Sequence, residues 1–489
     1  MTRVLIFLPI VLLGCFVVSG IALSQAIAVS SSYEPDFHFR VNGKDFFPIG
    51  WYNSTKPADL QTVKKSGATV VIGYWNFIWE QYGNGRPKPY TREEYLISLR
   101  AYLREVDRAG LKAIVDLGAN EDGKSGYSLA GIADIVDTFA DDPAVFAWYL
   151  YDEPFHKLYY FNCGAEPTRE HLQALADTIR AVERRKLGVQ KHPVIPVITD
   201  PRFFADYQRG GKEICKDGRR IPLPPPFYPA SYDAIGWDAY VYTKAMDAKK
   251  YWWNDYNNVS RLVARRGVEQ TRKLRKMGFI FVGQGADKSA GTDLRQLTAK
   301  EILYQSMSPV IQGARGLLFW WWVEGESSPA TRTAINKFIQ FFRTNKLDNV
   351  IMNGGNLDAQ VRFQSVTVKG IASSREKYRW KLNNNLNREI EDPADPETLN
   401  FKLFNWIARK YAGSYYIFAV NDYRALVRST LVLDGLVRAD ESIRRVMELR
   451  VDGKGGEQPL TRGAKGNSAR FPISLAGYDV KIFKVELGS

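Results

Sequence analysis

The chain has 489 residues, 45% of them hydrophobic and 25% charged, with a formal net charge of +14. That length predicts two or three domains, and that balance excludes a disordered chain. The basic excess suits an anionic partner, an acidic glycan or a membrane surface, or else a merely solvated surface; nucleic acid is not expected, because basic and acidic residues are interleaved and no zinc-finger spacing occurs.

Arg3 precedes an almost wholly apolar run from Val4 to Leu23, and Ala26-Ile27-Ala28 has the small-x-small form of a leader cleavage site. Residues 1–28 therefore read as a signal peptide or a membrane anchor. Residues 4–23 could span a bilayer uncleaved as a tether, and Leu12-Leu13-Gly14-Cys15 resembles a lipoprotein box. All three alternatives place the body outside the cytoplasm: extracellular, periplasmic or at the cell surface. Beyond the leader only Cys163 and Cys215 remain, enough for one disulfide, with two unpaired thiols as the alternative.

From His38 a hairpin signal, Val41-Asn42-Gly43 and then Asp45-Phe46-Phe47, precedes a series of short apolar runs. These run Phe47 to Asn53, Ala68 to Asn76, Lys112 to Gly118, Val145 to Glu153, Val194 to Asp200, Ala234 to Tyr242, Phe279 to Gly285 and Gly316 to Trp322. Amphipathic segments alternate with them. Thr91 and Glu94, and again Thr298 and Glu301, have capping-box spacing ahead of apolar residues at helical intervals. A last helix is expected from Pro329 to Leu347. The alternation predicts an α/β fold, a (β/α)8 TIM barrel over residues 33–350, and no Gly-rich dinucleotide fingerprint supports an open sheet. After Asn353-Gly354-Gly355 helical periodicity stops, and strand-like runs predict a smaller all-β sandwich domain over 356–489. Arg379 to Pro396 reads as a long polar loop, and Pro201 to Ala230 as a long basic loop over the barrel mouth.

Functional groups of such barrels gather where strands end. The expected ends carry Asn53, Trp75, Asp116, Asp152, Glu153, Asp238, Tyr240, Gln284, Asp287 and Trp320-Trp321-Trp322, with Glu324 and Glu326 just beyond. Aromatic faces among carboxylates and amides suit a sugar, which has an apolar C–H face and many hydroxyls. Hydrolysis of a glycosidic bond commonly uses two carboxyl groups, and a Glu among aromatics can hold its proton near neutral pH. Glu153, directly after Trp148-Tyr149-Leu150-Tyr151 and Asp152, is the candidate acid. Asp152, Asn53, Trp75, Asp238, Tyr240, Gln284, Trp321 and Trp322 are candidate substrate contacts. No cofactor is expected, and the four His show no metal-ligand spacing, so no metal is expected either.

Val41-Asn42-Gly43-Lys44-Asp45-Phe46-Phe47-Pro48-Ile49-Gly50 resembles the opening strand of clan A glycoside hydrolases, the superfamily of cellulases and β-galactosidases. Phe146 to Phe155 resembles their fourth-strand segment, where Asn-Glu-Pro or Asp-Glu-Pro is typical. The resemblance implies a hydrolase acting on a carbohydrate, with Glu153 as acid/base and Asp152 where many members have an Asn near the sugar's 2-hydroxyl. It departs at strand seven: Gln284 stands where the clan has its Glu nucleophile. The second carboxyl would then come from Glu324, expected first, or from Asp287, Asp238 or Glu326. Loss of that nucleophile also leaves open a barrel that binds glycans without cleaving them.

Overall fold

The computed structural model describes residues 37–83, 91–117, 128–152, 169–198, 212–214, 220–222, 232–238, 264, 267–269, 271–272, 276–288, 294–368, 380–382, 388–390, 404–421, 426–434, 442–462 and 468–488. The leader and tether expected over 1–28 lie outside them. No helix among the described residues is long and apolar enough to cross a membrane.

The chain opens with a hairpin of β1 (Phe39–Val41) and β2 (Lys44–Phe46), turned at Asn42 and Gly43, both with positive φ. Phe39 and Phe46 both pack on Phe146, with ring centroids 5.7 and 5.0 Å away, so the hairpin closes the floor of a barrel. The barrel consists of β3 (Ile49–Tyr52), β4 (Val70–Gly73), β5 (Lys112–Asp116), β6 (Val145–Asp152), β7 (Val194–Ile198), β10 (Ile235–Asp238), β11 (Phe279–Gln284) and β12 (Gly316–Trp320). All neighbours pair in parallel, and β12 returns to β3, so the sheet is closed. Between β7 and β10 lies a small antiparallel pair, β8 (Lys212–Ile214) with β9 (Arg220–Pro222), inside the expected long loop.

Alternate residues fill the barrel. Ile72, Ile114, Tyr149, Val197, Ile280, Val282 and Leu318 form the inner cluster, while Trp51, Val71, Trp148, Phe281 and Phe319 face the helices. Burial on both faces is why these strands read as continuous apolar runs. The helical layer includes α1 (Pro57–Lys65), α2 (Trp75–Tyr82), α3 (Arg92–Arg108), α4 (Leu129–Phe139), α5 (Arg169–Leu187), α6 (Ala299–Ile311), α7 (Pro329–Thr344) and α8 (Leu347–Asn353). Both expected capping boxes form, Thr91 with Glu94 and Thr298 with Glu301. The second apolar run stops short of its expected end, because Trp75 opens α2 rather than closing β4. The last expected helix divides at Lys346, whose φ of 55° breaks helical geometry between α7 and α8.

The C-terminal region is antiparallel. One sheet orders β13 (Gly355–Asn356), β17 (Phe404–Tyr411), β18 (Ser414–Asn421), β23 (Asp479–Gly488) and β20 (Ser442–Leu449). The other orders β14 (Val361–Val368), β19 (Val427–Asp434), β22 (Ser468–Leu475) and β21 (Thr461–Arg462). The segment expected as a loop instead carries a short pair, β15 (Trp380–Leu382) with β16 (Arg388–Ile390). Along β18, Tyr415, Ile417 and Ala419 face the second sheet, whereas Tyr416, Phe418 and Val420 join the barrel's outer core. The five-stranded sheet is thus buried on both sides, against its partner sheet and against the barrel. Tyr304 of α6 meets Tyr478 across that junction, centroids 5.6 Å apart.

A polar lock ties α5 to the fourth and fifth barrel strands. Glu183, with no solvent exposure, accepts hydrogen bonds from Trp148 Nε1 at 2.8 Å and His192 Nδ1 at 2.5 Å. Its other oxygen accepts from the backbone N–H groups of Lys191 and His192, at 2.8 and 3.2 Å. Burial alone would raise this carboxyl, but the bonds from His192 and Trp148 outweigh it and hold it below the ordinary glutamate range. A folded-state pKa below the unfolded one contributes stability above about pH 4.3, lost as pH falls through the folded value. Glu183→Ala should therefore cost about 3–5 kcal/mol in urea unfolding at pH 7, as for breaking a buried pair, and less at pH 3. An equal cost at both pH values would contradict the ionised lock.

Candidate active site

The carboxyl ends of the eight parallel strands share one rim. Asp152 ends β6 and accepts a hydrogen bond from Tyr149 Oη at 2.6 Å and a longer one from Tyr74 Oη at 3.4 Å. In a regular strand, residues three apart point to opposite faces. The β6–β7 register shifts between Tyr149 and Asp152, and that irregularity accompanies their meeting on one side. Tyr52 packs edge to face on Tyr74 and on Tyr149, with centroids 5.6 and 6.3 Å apart, and Tyr74 and Tyr149 are tilted to each other at 6.2 Å.

Asn53 comes directly after β3 with a φ of 59°, a left-handed conformation that Asn tolerates better than most residues. Its Oδ1 accepts from the Tyr74 backbone N–H at 2.9 Å, and its own N–H donates to Ile72 O at 2.6 Å. Asn53 is thus buried as the brace that sets where Tyr74 leaves the second barrel strand. Asp116 and Asp238, both buried at their strand ends, lie near enough to raise the Tyr74 phenol by their charge. Among the described residues no group of three or more His, Cys, Asp or Glu is placed to hold a metal ion.

On the opposite arc, Trp320 and Trp321 stack with centroids 4.6 Å apart at 17° and remain partly exposed. Phe77 of α2 meets the Trp321 ring edge-on at 5.4 Å, and Trp321 Nε1 donates to Glu326 Oε2 at 3.0 Å. Trp322, expected as a substrate contact, is corrected by this arrangement. Trp322 is 7% exposed, set edge-on to Trp51 at 5.2 Å and under the Arg332 guanidinium, in the layer between barrel and helices. Trp320 takes its place at the rim. Gly316, Leu318 and Trp320 share a face of β12, and the strand ends at Trp320, so its alternation does not carry on to Trp322.

The candidate second carboxylates separate clearly. Glu324 is 85% exposed at its side chain and its nearest cation is the exposed Lys56, 3.7 Å away. Asp287 accepts from the Ser328 backbone N–H at 2.7 Å and from Thr331 Oγ1, so its carboxylate caps the start of α7. Glu326 holds the Trp321 indole. Gln284, fully buried, donates through Nε2 to Ala286 O and Arg295 O, each at 3.0 Å. Asp238 alone of the four second-carboxyl candidates is a buried acid on the barrel rim. Glu153, Tyr240, Cys163 and Cys215 lie outside the described residues, as does most of the basic loop. Tyr52, Tyr74, Tyr149 and Trp320 are absent from the expected contacts.

Burial, reinforced by the Asp152 charge, raises both the Tyr149 and Tyr74 phenols well above the ordinary tyrosine value. A raised folded-state pKa gives stability that is present below about pH 10 and lost as pH climbs above it. Tyr149→Phe should cost about 1.5–3 kcal/mol at pH 7, the worth of a hydrogen bond to a charged acceptor. It should also flatten the fall in thermal midpoint above about pH 10. A variant that keeps the wild-type slope there would refute this environment.

No family model matches the sequence, and no curated protein matches it. Solved structures match in fold. One described as a glycoside hydrolase aligns over 91% of this chain and 93% of its own, at 11% identity and a TM-score of 0.50. A glycoside hydrolase of family 5 from Bacteroides vulgatus aligns over 93% of this chain and 91% of its own, also at 11% identity and 0.50. The likeness is one of fold: this chain shares with these two structures the course of the backbone over nine-tenths of its length.

Proposed function

We propose that the protein is an exported glycoside hydrolase that cleaves O-glycosidic bonds of an oligo- or polysaccharide, with Glu153 as acid/base. The observation that carries this is Asp152, fixed by Tyr149 at the carboxyl end of the fourth barrel strand, one residue before Glu153. The fold likeness to glycoside hydrolases supports the same class. The stacked Trp320 and Trp321 offer an indole face to a sugar's C–H surface, and Asp152 offers acceptors to its hydroxyls. Asp116, Asp152 and Asp238 at one rim favour a neutral sugar over the acidic glycan suggested by net charge. Of the second carboxyls, Asp238 replaces Glu324 and Asp287, whose carboxylates are exposed and engaged in a cap, respectively.

In this mechanism Glu153 protonates the departing glycosidic oxygen while Asp238 attacks or activates water across the ring. A separation near about 5 Å gives retention and roughly 6.5–9.5 Å gives inversion. Glu153→Gln should lower turnover of a cleaved β-glycan by about 10²–10⁴-fold with little change in binding. Asp238→Asn should fall comparably. Full turnover in Glu153→Gln removes that residue from the reaction.

A second reading has one observation in its favour: the side chain at the expected nucleophile position is an amide committed to two carbonyls. The barrel would then bind glycan without cleaving it. Binding with no release of reducing ends from any of a panel of β-linked glycans would favour that reading.

A further inference from the structure

Gln284 has two partners that only a donor can satisfy, and it sits at the root of a connected set of bonds. Its backbone N–H donates to Gln305 Oε1 at 3.1 Å, and its carbonyl accepts from Gln305 Nε2 at 2.8 Å. One amide of α6 thus grips the strand end in both directions. The Gln284 side chain then bridges Ala286 O and Arg295 O, two carbonyls nine residues apart in the chain. From that loop, Gly285 N–H donates to Trp320 O at 2.5 Å, and Asp287 N–H donates to Glu326 O at 2.8 Å. Glu326 in turn accepts from the Trp321 indole. The approach is tight: a Cβ on Gly285 would lie 2.7 Å from the Trp51 ring and 3.1 Å from Trp320 O.

We propose that Gln284 is a positioning residue: its side-chain amide, through loop 285–288, holds the Trp320–Trp321 stack at the barrel rim. On this basis Gln284 is no remnant of a catalytic glutamate, and restoring a carboxyl there removes a donor instead of supplying a nucleophile. A carboxylate would face Ala286 O and Arg295 O with acceptors against acceptors. Protonated, the same carboxyl regains one O–H donor. The proposal stands whether or not the mouth cleaves glycan, and its test needs no substrate.

The test compares wild type, Gln284→Glu and Gln284→Met by circular dichroism and thermal melting between about pH 4.5 and 7.5, a range set by the ordinary glutamate value and its rise on burial. Stacked indoles couple, so the signal of the Trp320–Trp321 pair is the part of the spectrum that Trp320→Phe removes. The expected result is that Gln284→Glu lacks this couplet at the upper pH and recovers it in part at the lower. Because its buried carboxyl has a raised pKa, the melting gap from wild type should widen as pH rises above about 4.3. Gln284→Met should lack the couplet at both pH values with a constant gap. A couplet and midpoint equal to wild type in Gln284→Glu at the upper pH would overturn the proposal, as would a deficit identical to that of Gln284→Met at every pH. Should Gln284→Glu fail to fold throughout, Gln284→Met decides: a folded protein without the couplet supports the proposal, and one retaining it refutes it.

Discussion

Closure of the parallel sheet is the constraint on which everything else depends. Once β12 pairs with β3, no strand edge remains, and every carboxyl end is delivered to one rim. Tyr149, Asp238, Gln284 and Trp320 stand far apart in the chain and become neighbours around a ring only through that closure. The same closure makes every barrel strand two-faced, with one set of side chains filling the interior and the other packing beneath the helices.

Polar groups at the rim are held by one another more than by solvent. Asp152 is fixed from within its own strand by Tyr149 and from the second strand by Tyr74, whose backbone is in turn braced by Asn53. On the far side, Gln305, Gln284, Glu326 and Trp321 form a second chain of donors and acceptors. Two networks therefore face each other across the mouth, one presenting a carboxylate and the other a pair of indoles, joined where Trp322 N–H donates to Tyr52 O at 2.8 Å. Preorganisation of this kind suits a site that must hold a ring in one orientation.

The barrel is legible in the sequence because buried parallel strands leave continuous apolar runs, and all eight expected runs contain a barrel strand. Their ends are less legible. Trp75 falls inside an apolar run, and such a run does not distinguish a strand end from a helix start. Trp322 is expected at the mouth; it shares the parity of Trp320, and nothing in the spacing shows that β12 ends before reaching it. The hairpin of β15 and β16 is hidden in a polar Asn-rich segment. Site residues that act through pairing are hardest to see. Sequence alone names Glu324 and Asp287 as free acids; only the fold shows one in solvent and the other spent on a helix cap. Gln284 stands out in sequence for what it is not, and the two carbonyls that require its amide are visible only in three dimensions.

In the proposed function a sugar lies in the barrel mouth between the tyrosine-held Asp152 and the Trp320–Trp321 pair, with Glu153 at its linkage. The most direct measurement is a crystal structure of the protein with a bound β-linked oligosaccharide. The expected result is a sugar ring stacked on the exposed indole face, with a glycosidic oxygen within hydrogen-bond reach of the Glu153 carboxyl. A saccharide bound only on the sandwich, or a Glu153 side chain turned away from the mouth, would contradict it.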